Sequence, residues 1–229
     1  MKIMAIGAHP DDIEIFMYGL LFAFKSRGDI LKLLIATDGA AGTIKNKLNL
    51  IKIRKQETLQ GLKNLGKPIF LNLPDGKLSQ IELAKSKIDA EIKKFNPDLI
   101  ITHAPEDYHN DHRSLSSYVN DITGFHCPVI YCETLLGVNF IPSYYIDITR
   151  CFHFKKEAIL KHSSQNPHKF LSAVELTNQF RAAQCNHPTG SYAEVYRYDN
   201  KFPFADIRSL LPNAPDLRPY YNNNINSLI

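Results

Sequence analysis

The sequence predicts an α/β protein built on a mostly parallel sheet with helices on both faces. Three observations carry this expectation. Short apolar runs alternate with longer helix-period runs, turn-forming residues separate them, and the strand-then-helix unit recurs along the first half of the chain. Lys2 to Ala8 read as a first strand broken by His9-Pro10-Asp11-Asp12, and Ile13 to Phe24 continue as an apolar helix. Leu31 to Thr37 form a second strand ending in Asp38-Gly39. Leu48 to Leu65 place Leu50, Ile53, Leu59, Leu62 and Leu65 at near-helical spacing before Gly66-Lys67-Pro68 stops the helix. Ile69 to Leu73 read as a third strand closed by Pro74-Asp75-Gly76, and Ile81 to Phe95 as a helix with Ile81, Ala84, Ile88 and Ile92 on one face. Leu99 to Thr102 form a fourth strand, followed by a histidine-rich loop and a helix from about Asp111. Further strands are expected at Val129 to Cys132, Tyr144 to Ile148 and Tyr192 to Tyr198, with helices at Cys151 to Lys161 and Ser172 to Ala183. The connectivity is Rossmann-like, in a single domain over residues 1–229 with an irregular Pro- and Asn-rich tail from about Lys201.

A chain of 229 residues is ample for a buried core, and 44% hydrophobic with 22% charged residues excludes a disordered or fibrous protein. A net charge of +4 without a long basic run implies neither a nucleic-acid nor a membrane partner. Cys127, Cys132, Cys151 and Cys185 are far apart in a chain too long to need staples, so reduced thiols and a cytoplasmic location are expected. The opening MKIMAIGAHPDD is too short for a signal peptide's apolar region, and no apolar run approaches the roughly 20 residues of a membrane-spanning helix.

Ligands of parallel sheets bind at the carboxyl ends of the strands, where loops and helix N-termini converge. Two polar clusters fall on that edge: His9 to Asp12 after strand one, and Asp107 to His112 after strand four. His9, Asp12 and His112 form a set of two imidazoles and a carboxylate that suits zinc and leaves a position open for water. Asp11 stands beside them as a base for that water, and His109 with Asp111 offers an imidazole held protonated by a carboxylate. Purely structural roles compete. Asp11 or Asp12 is also suited to cap a helix, and a lone loop histidine such as His103 or His126 is more often a surface or hydrogen-bonded residue than a ligand. No glycine-rich dinucleotide fingerprint, P-loop or nucleophile elbow accompanies these clusters.

The two clusters resemble the motifs of the LmbE-like or PIG-L type zinc-dependent N-deacetylases, which remove acetyl groups from N-acetylglucosamine conjugates. Ala8 to Asp12 with Glu14 resembles the family's opening motif, and Pro105, Asp107, His109, Asp111 and His112 its second. Further agreement lies in Thr37-Asp38-Gly39 with Gly42, Arg54 and Glu57, Pro74-Asp75-Gly76, and His162-Ser163-Ser164-Gln165. The resemblance implies one zinc per chain on His9, Asp12 and His112, Asp11 as general base, and His109 with Asp111 stabilising the transition state. It implies Arg54, Asp75, Arg181 and Tyr192 as substrate-binding residues, an N-acetylated amino sugar conjugate as substrate, and a homotrimer or hexamer. Phe16, Met17 and Tyr18 depart from the small residues many relatives carry there, and either narrow the pocket or fill a helix-sheet contact. Two rival functions share the same residues: another metal-dependent hydrolase, for instance of phosphoesters, and a non-catalytic sugar-binding protein.

Overall fold

Strands buried on both faces read as continuous apolar runs, because alternate side chains enter different cores. The computed structural model, which describes residues 1–42, 47–199 and 207–213, follows this rule. Ile3 and Ala5 join one buried cluster and Met4 and Ile6 the other, and Leu33 and Ile35 divide likewise from Leu34 and Ala36. The chain runs β1 (Lys2–Gly7), α1 (Asp12–Phe16), α2 (Tyr18–Arg27), β2 (Ile30–Thr37), α3 (Lys47–Gly61), β3 (Ile69–Leu73) and α4 (Ala84–Phe95). It continues through β4 (Leu99–His103), α5 (Asn110–Thr123), β5 (Val129–Cys132), β6 (Tyr144–Asp147), α6 (Phe152–Leu160), α7 (Pro167–Gln184) and β7 (Ala193–Tyr198). Single 3-10 turns join several of these.

The sheet order is β3-β2-β1-β4-β5-β7-β6. β1 to β5 are parallel, and β7 runs antiparallel between β5 and β6. Helices α4 and α5 cover one face through Ile88, Ile92, Leu115 and Val119, while α1, α2, α6 and α7 cover the other. The predicted mostly parallel sheet with helices on both faces is therefore the observed fold. Its order reverses between β1 and β4, and the crevice at such a switch point is where open α/β sheets hold their ligands.

The structure departs from the sequence expectation at Ile13 to Phe24, where one helix is expected and two are found. The break falls at Met17, whose backbone leaves the helical region (φ −132°, ψ −4°). A distant carboxylate imposes it. Glu194 accepts hydrogen bonds from the Gly19 and Leu20 amides, both at 2.8 Å, and so caps α2 in place of a local side chain. The approach requires glycine, since a Cβ at Gly19 would lie 2.4 Å from the Ile148 side chain. Glu194 also accepts from the buried Lys155 ammonium at 2.7 Å and the Tyr196 hydroxyl at 2.7 Å. Glu194→Ala strands the Gly19 and Leu20 amides and leaves the buried Lys155 ammonium with Asn178 but without its counter-charge, and is expected to lower the unfolding free energy by about 3 to 5 kcal/mol in urea titrations.

Of the expected C-terminal tail, residues 200–206 and 214–229 lie outside the described residues, and residues 207–213 include one 3-10 turn, Ile207–Ser209. Among the described residues no helix is long and apolar enough to cross a membrane.

Candidate metal centre and active site

β1 and β4 are neighbours, so the segments leaving their carboxyl ends meet although a hundred residues separate them. The turn after β1 supplies His9, Asp11 and Asp12, and the loop after β4 with the first turn of α5 supplies His109, Asp111 and His112. His9 Nδ1 lies 3.1 Å from His112 Nε2, His112 Nε2 lies 3.3 Å from Asp12 Oδ1, and His9 Nδ1 lies 3.4 Å from Asp12 Oδ2. Bonds of about 2.1 Å to a tetrahedral ion set its ligand atoms roughly 3.4 Å apart. The three side chains thus present donor atoms at close to ligand spacing, within a cluster where His9–His109–His112, Asp12–His103–His112 and His9–Asp75–Asp111 are also spaced to hold a cation.

Carboxylates orient both imidazoles from behind. Asp107 Oδ2 stands 3.2 Å from His112 Nδ1, while Asp75 Oδ1 and Asp111 Oδ2 stand 3.2 and 3.5 Å from His9 Nε2. This is the usual means of fixing the tautomer of a metal-binding histidine and raising its basicity. Burial opposes protonation of His112, but Asp12 and Asp107 outweigh it and push its pKa up to about 9. His9 is raised in the same way, burial being overcome by Asp12, Asp111 and Asp75. The Asp12 carboxyl is held well below its ordinary range because His112, His103 and His9 overcome its burial. The cluster therefore favours positive charge at its centre, which a divalent cation supplies in place of two protons.

His103 was expected as a surface or hydrogen-bonded loop residue. It is the last residue of β4, fully buried, with Nε2 3.0 Å from Asp12 Oδ2 and its ring stacked on His112 at 3.7 Å. It anchors the carboxylate that faces the two imidazoles. The available signal was its position as a polar residue ending an apolar strand beside β1.

Asp11 stands at the N-cap of α1, but its side chain makes no capping bond and pairs with Arg54 instead. Its backbone sits at φ 116°, a left-handed conformation costly for a non-glycine residue and held here by surrounding contacts. Arg54 Nη2 donates to Asp11 Oδ2 at 3.0 Å and to the Pro10 carbonyl at 2.5 Å, and Nη1 donates to the Gly39 carbonyl at 3.0 Å. A Cβ at Gly39, where φ is 70°, would lie 2.7 Å from Arg54 Nη1. Burial raises the Asp11 pKa against the lowering effect of Arg54 and His162. A raised carboxyl pKa suits a group that must both take and return a proton.

His109 and Asp111 differ from expectation. The Asp111 carboxylate turns from His109 to accept the Gly76 and Leu78 amides at 2.7 and 3.0 Å. His109 Nδ1 accepts the Asp111 backbone amide at 3.2 Å, and burial together with His9 and His112 lowers its pKa. The Asp111 carboxylate expected to pair with the ring is thus engaged elsewhere, and with Nδ1 accepting from the backbone the ring presents Nε2 as its free donor.

A cavity of about 260 Å³ opens over this cluster. It is lined by the polar residues Asp11, Arg54, Asp75, His109 and Gln165, by the apolar Ile15, Phe16, Leu135 and Phe170, and by the exposed Tyr108. Glu57 holds the segment that carries Gln165 by accepting from Ser163, the Ser164 amide and the Ser164 hydroxyl. Arg54 and Asp75 reach the cavity with the Arg54 Nη atoms committed to Asp11, Pro10 and Gly39 and the Asp75 carboxylate to the Ala41 amide and His9, while Arg54 Nε is buried without a hydrogen-bond partner. Arg181 and Tyr192 are not among the lining residues. Arg181 is paired with Glu133, and Tyr192 stacks on Phe152 at 3.6 Å.

A doubly wound sheet with histidine and aspartate donors converging on its switch point defines an α/β enzyme with a metal-type centre. The chain belongs to the PIG-L family: residues 4–123 match the family described as GlcNAc-PI de-N-acetylase. It is 23% identical over 188 residues to a diacetylchitobiose deacetylase of Thermococcus kodakarensis, an alignment covering 72% of this chain and 70% of the relative. Among solved structures it is similar to N,N'-diacetylchitobiose deacetylase from Pyrococcus horikoshii bound to the inhibitor MPG, with a TM-score of 0.77, 22% identity, and coverage of 90% and 88% of the two chains. It also superimposes on GalB, the 4-carboxy-2-hydroxymuconate hydratase of Pseudomonas putida KT2440, with a TM-score of 0.74, 13% identity and coverage of 95% and 99%. One fold thus carries more than one reaction, and the site must decide between them.

Proposed function

We propose that the protein is a zinc-dependent N-deacetylase that hydrolyses the acetamide of an N-acetylated amino sugar, or of its conjugate, to a free amine and acetate. The supporting observation is the convergence of His9, Asp12 and His112 at ligand spacing with Asp11 beside them at the floor of a sugar-sized cavity. His9, Asp12 and His112 hold the ion, which when bound supplies a Lewis acid for the carbonyl oxygen and lowers the pKa of water to about 7. Asp11 accepts the water proton as the oxygen adds to the carbonyl carbon. His109 donates its Nε2–H toward the oxyanion, a contribution of about 3 to 4 kcal/mol for one well-placed donor. The carbon–nitrogen bond then breaks, and Asp11 returns its proton to the departing amine. Arg54 acts on substrate through Asp11, which it clamps in the left-handed turn, and Asp75 acts through His9. Gln165, Tyr108 and the Gly42 segment are left to meet the sugar.

The test is a screen of the zinc-loaded protein against acetylated amino sugars and their nucleotide- and lipid-linked forms, with phosphomonoesters alongside. Free amine and acetate in equal amounts are expected, and no phosphate. Phosphate release, or tight binding of acetylated sugars without turnover, would replace this reading by one of its rivals. Water addition to an unsaturated acid of the GalB type would do the same.

A further inference from the structure

We propose that Phe16 and Leu135 form an acyl-length wall that admits an acetyl group and rejects longer N-acyl chains, an inference that rests on the deacetylase reading of the site. The cavity over the metal cluster has a neighbour, a recess of about 30 Å³ with room for one or two waters, lined by Glu133, Lys155, Asn178 and Glu194. Ile15, Phe16 and Leu135 line both spaces, so these three side chains are the partition between them.

The partition stands where an acyl substituent must point. An amide carbonyl placed over His9, Asp12 and His112 directs its oxygen to the ion and its nitrogen toward the polar lining residues, leaving the alkyl group to the apolar ones. The Phe16 ring is set edge-on to both buried histidines, its centroid 6.1 Å from that of His112 and 5.8 Å from that of His103. Methyl-sized groups find an apolar surface here, and longer chains run into it.

Nothing in the surroundings lets the wall yield. Phe16 ends α1, and its carbonyl lies 3.3 Å from the Tyr196 hydroxyl, whose proton goes to the nearer Glu194 carboxylate. The chain then turns into the α2 terminus that Glu194 caps. Leu135 is held by the 3-10 turn Leu135–Gly137 after β5. Behind them the recess is lined by Leu136, Ala173, Val174 and Val195 as well as by the Lys155–Glu194 ion pair, 2.7 Å apart, and Asn178, so what keeps a longer acyl chain out of it is the Phe16–Leu135 partition and its volume of about 30 Å³. Each surplus methylene against such a wall is worth about 10- to 200-fold in discrimination.

The experiment compares N-acetyl-, N-propionyl- and N-butyryl-glucosamine with wild type, Phe16→Ala and Leu135→Ala, reading released amine. Wild-type kcat/KM is expected to fall at least about tenfold for each added methylene, and Phe16→Ala to raise the butyryl-to-acetyl ratio at least about tenfold, because the vacated ring volume takes the added carbons. Calorimetric Kd values for the same three sugars, on an Asp11→Asn background with and without Phe16→Ala, are expected to shift in the same direction independently of turnover. If Phe16→Ala does not fold, Phe16→Leu and Leu135→Ala carry the comparison. Folded variants that keep the wild-type acyl ratio overturn the wall while leaving the deacetylase reading intact. Absence of amine from every acylated sugar in this series and in the earlier screen removes that reading, and the wall with it.

Discussion

Asp11→Asn retains one zinc per chain and loses turnover by on the order of 10³-fold, the scale of a general base. Asparagine is the informative replacement because the position lies at φ 116°, where asparagine is tolerated and alanine strained. Its amide oxygen still accepts the Arg54 guanidinium, so the clamp to Pro10 and Gly39 survives. The variant should not lose stability through charge removal. Burial opposes the Asp11 carboxylate more than Arg54 and His162 support it, so the fold gives up no favourable charge when the group becomes neutral. Metal analysis, melting temperature and acetate release on one preparation check all three statements. Wild-type turnover in Asp11→Asn transfers the base to another group, and loss of zinc makes Asp11 a ligand.

The difference between Asp11 and its neighbours shows what the sequence made legible. Strands such as Ile69–Leu73 and Val129–Cys132 were readable to the residue because a short apolar run bounded by Pro, Gly or Asp has few other solutions. His9, Asp12 and His112 were readable because strand ends of a parallel sheet share one rim. What depended on side-chain direction was not. The Asp111 carboxylate turns to the Gly76 and Leu78 amides, a choice set by the loop after β3 passing within reach of α5. The break at Met17 was hidden because Glu194, which imposes it, lies far along the chain on a strand whose place in the sheet no local pattern reveals.

Arg181 and Tyr192 show the same limit from the other side. β7 is separated from β4 by β5, so Tyr192, just before β7, and Arg181, late in α7, approach the sheet beyond the β1–β4 crevice and find internal partners there. Phe16 runs opposite. The sequence leaves it between narrowing the pocket and filling a helix-sheet contact, and it lines the cavity at the end of α1 because the helix stops where Glu194 requires. Periodicity reports which residues are buried, and tertiary contacts decide what they are buried against.

His112→Ala abolishes metal binding and, with it, the protein's thermal response to zinc. Wild type is stabilised by mass action, about 2.7 kcal/mol when free zinc stands a hundredfold above Kd, which for a chain of this length is a rise of about 5 to 10 °C in Tm. The gain depends on pH with a definite sign. In the metal-free protein His112 has its pKa raised to about 9, and His9 is raised as well. Groups raised in this way contribute stability fully below their unfolded value near 6.5 and lose it as pH climbs through the folded value. Metal-free wild type therefore melts at progressively lower temperature from about pH 6.5 to 9. Zinc takes the place of the departing protons, so its binding strengthens over the same interval, and the zinc-induced rise in Tm is larger at pH 8.5 than at pH 6. His112→Ala breaks the His9–Asp12–His112 set, leaving His9 with Asp12, His109, Asp75 and Asp111 around the centre, and removes one of the two titrating imidazoles. Its melting curve is expected to be the same with zinc and with chelator, and its alkaline decline shallower than that of metal-free wild type. A zinc-induced rise in His112→Ala equal to that of wild type would take His112 out of the ligand set and move the ion to another group, such as His9, Asp75 and Asp111.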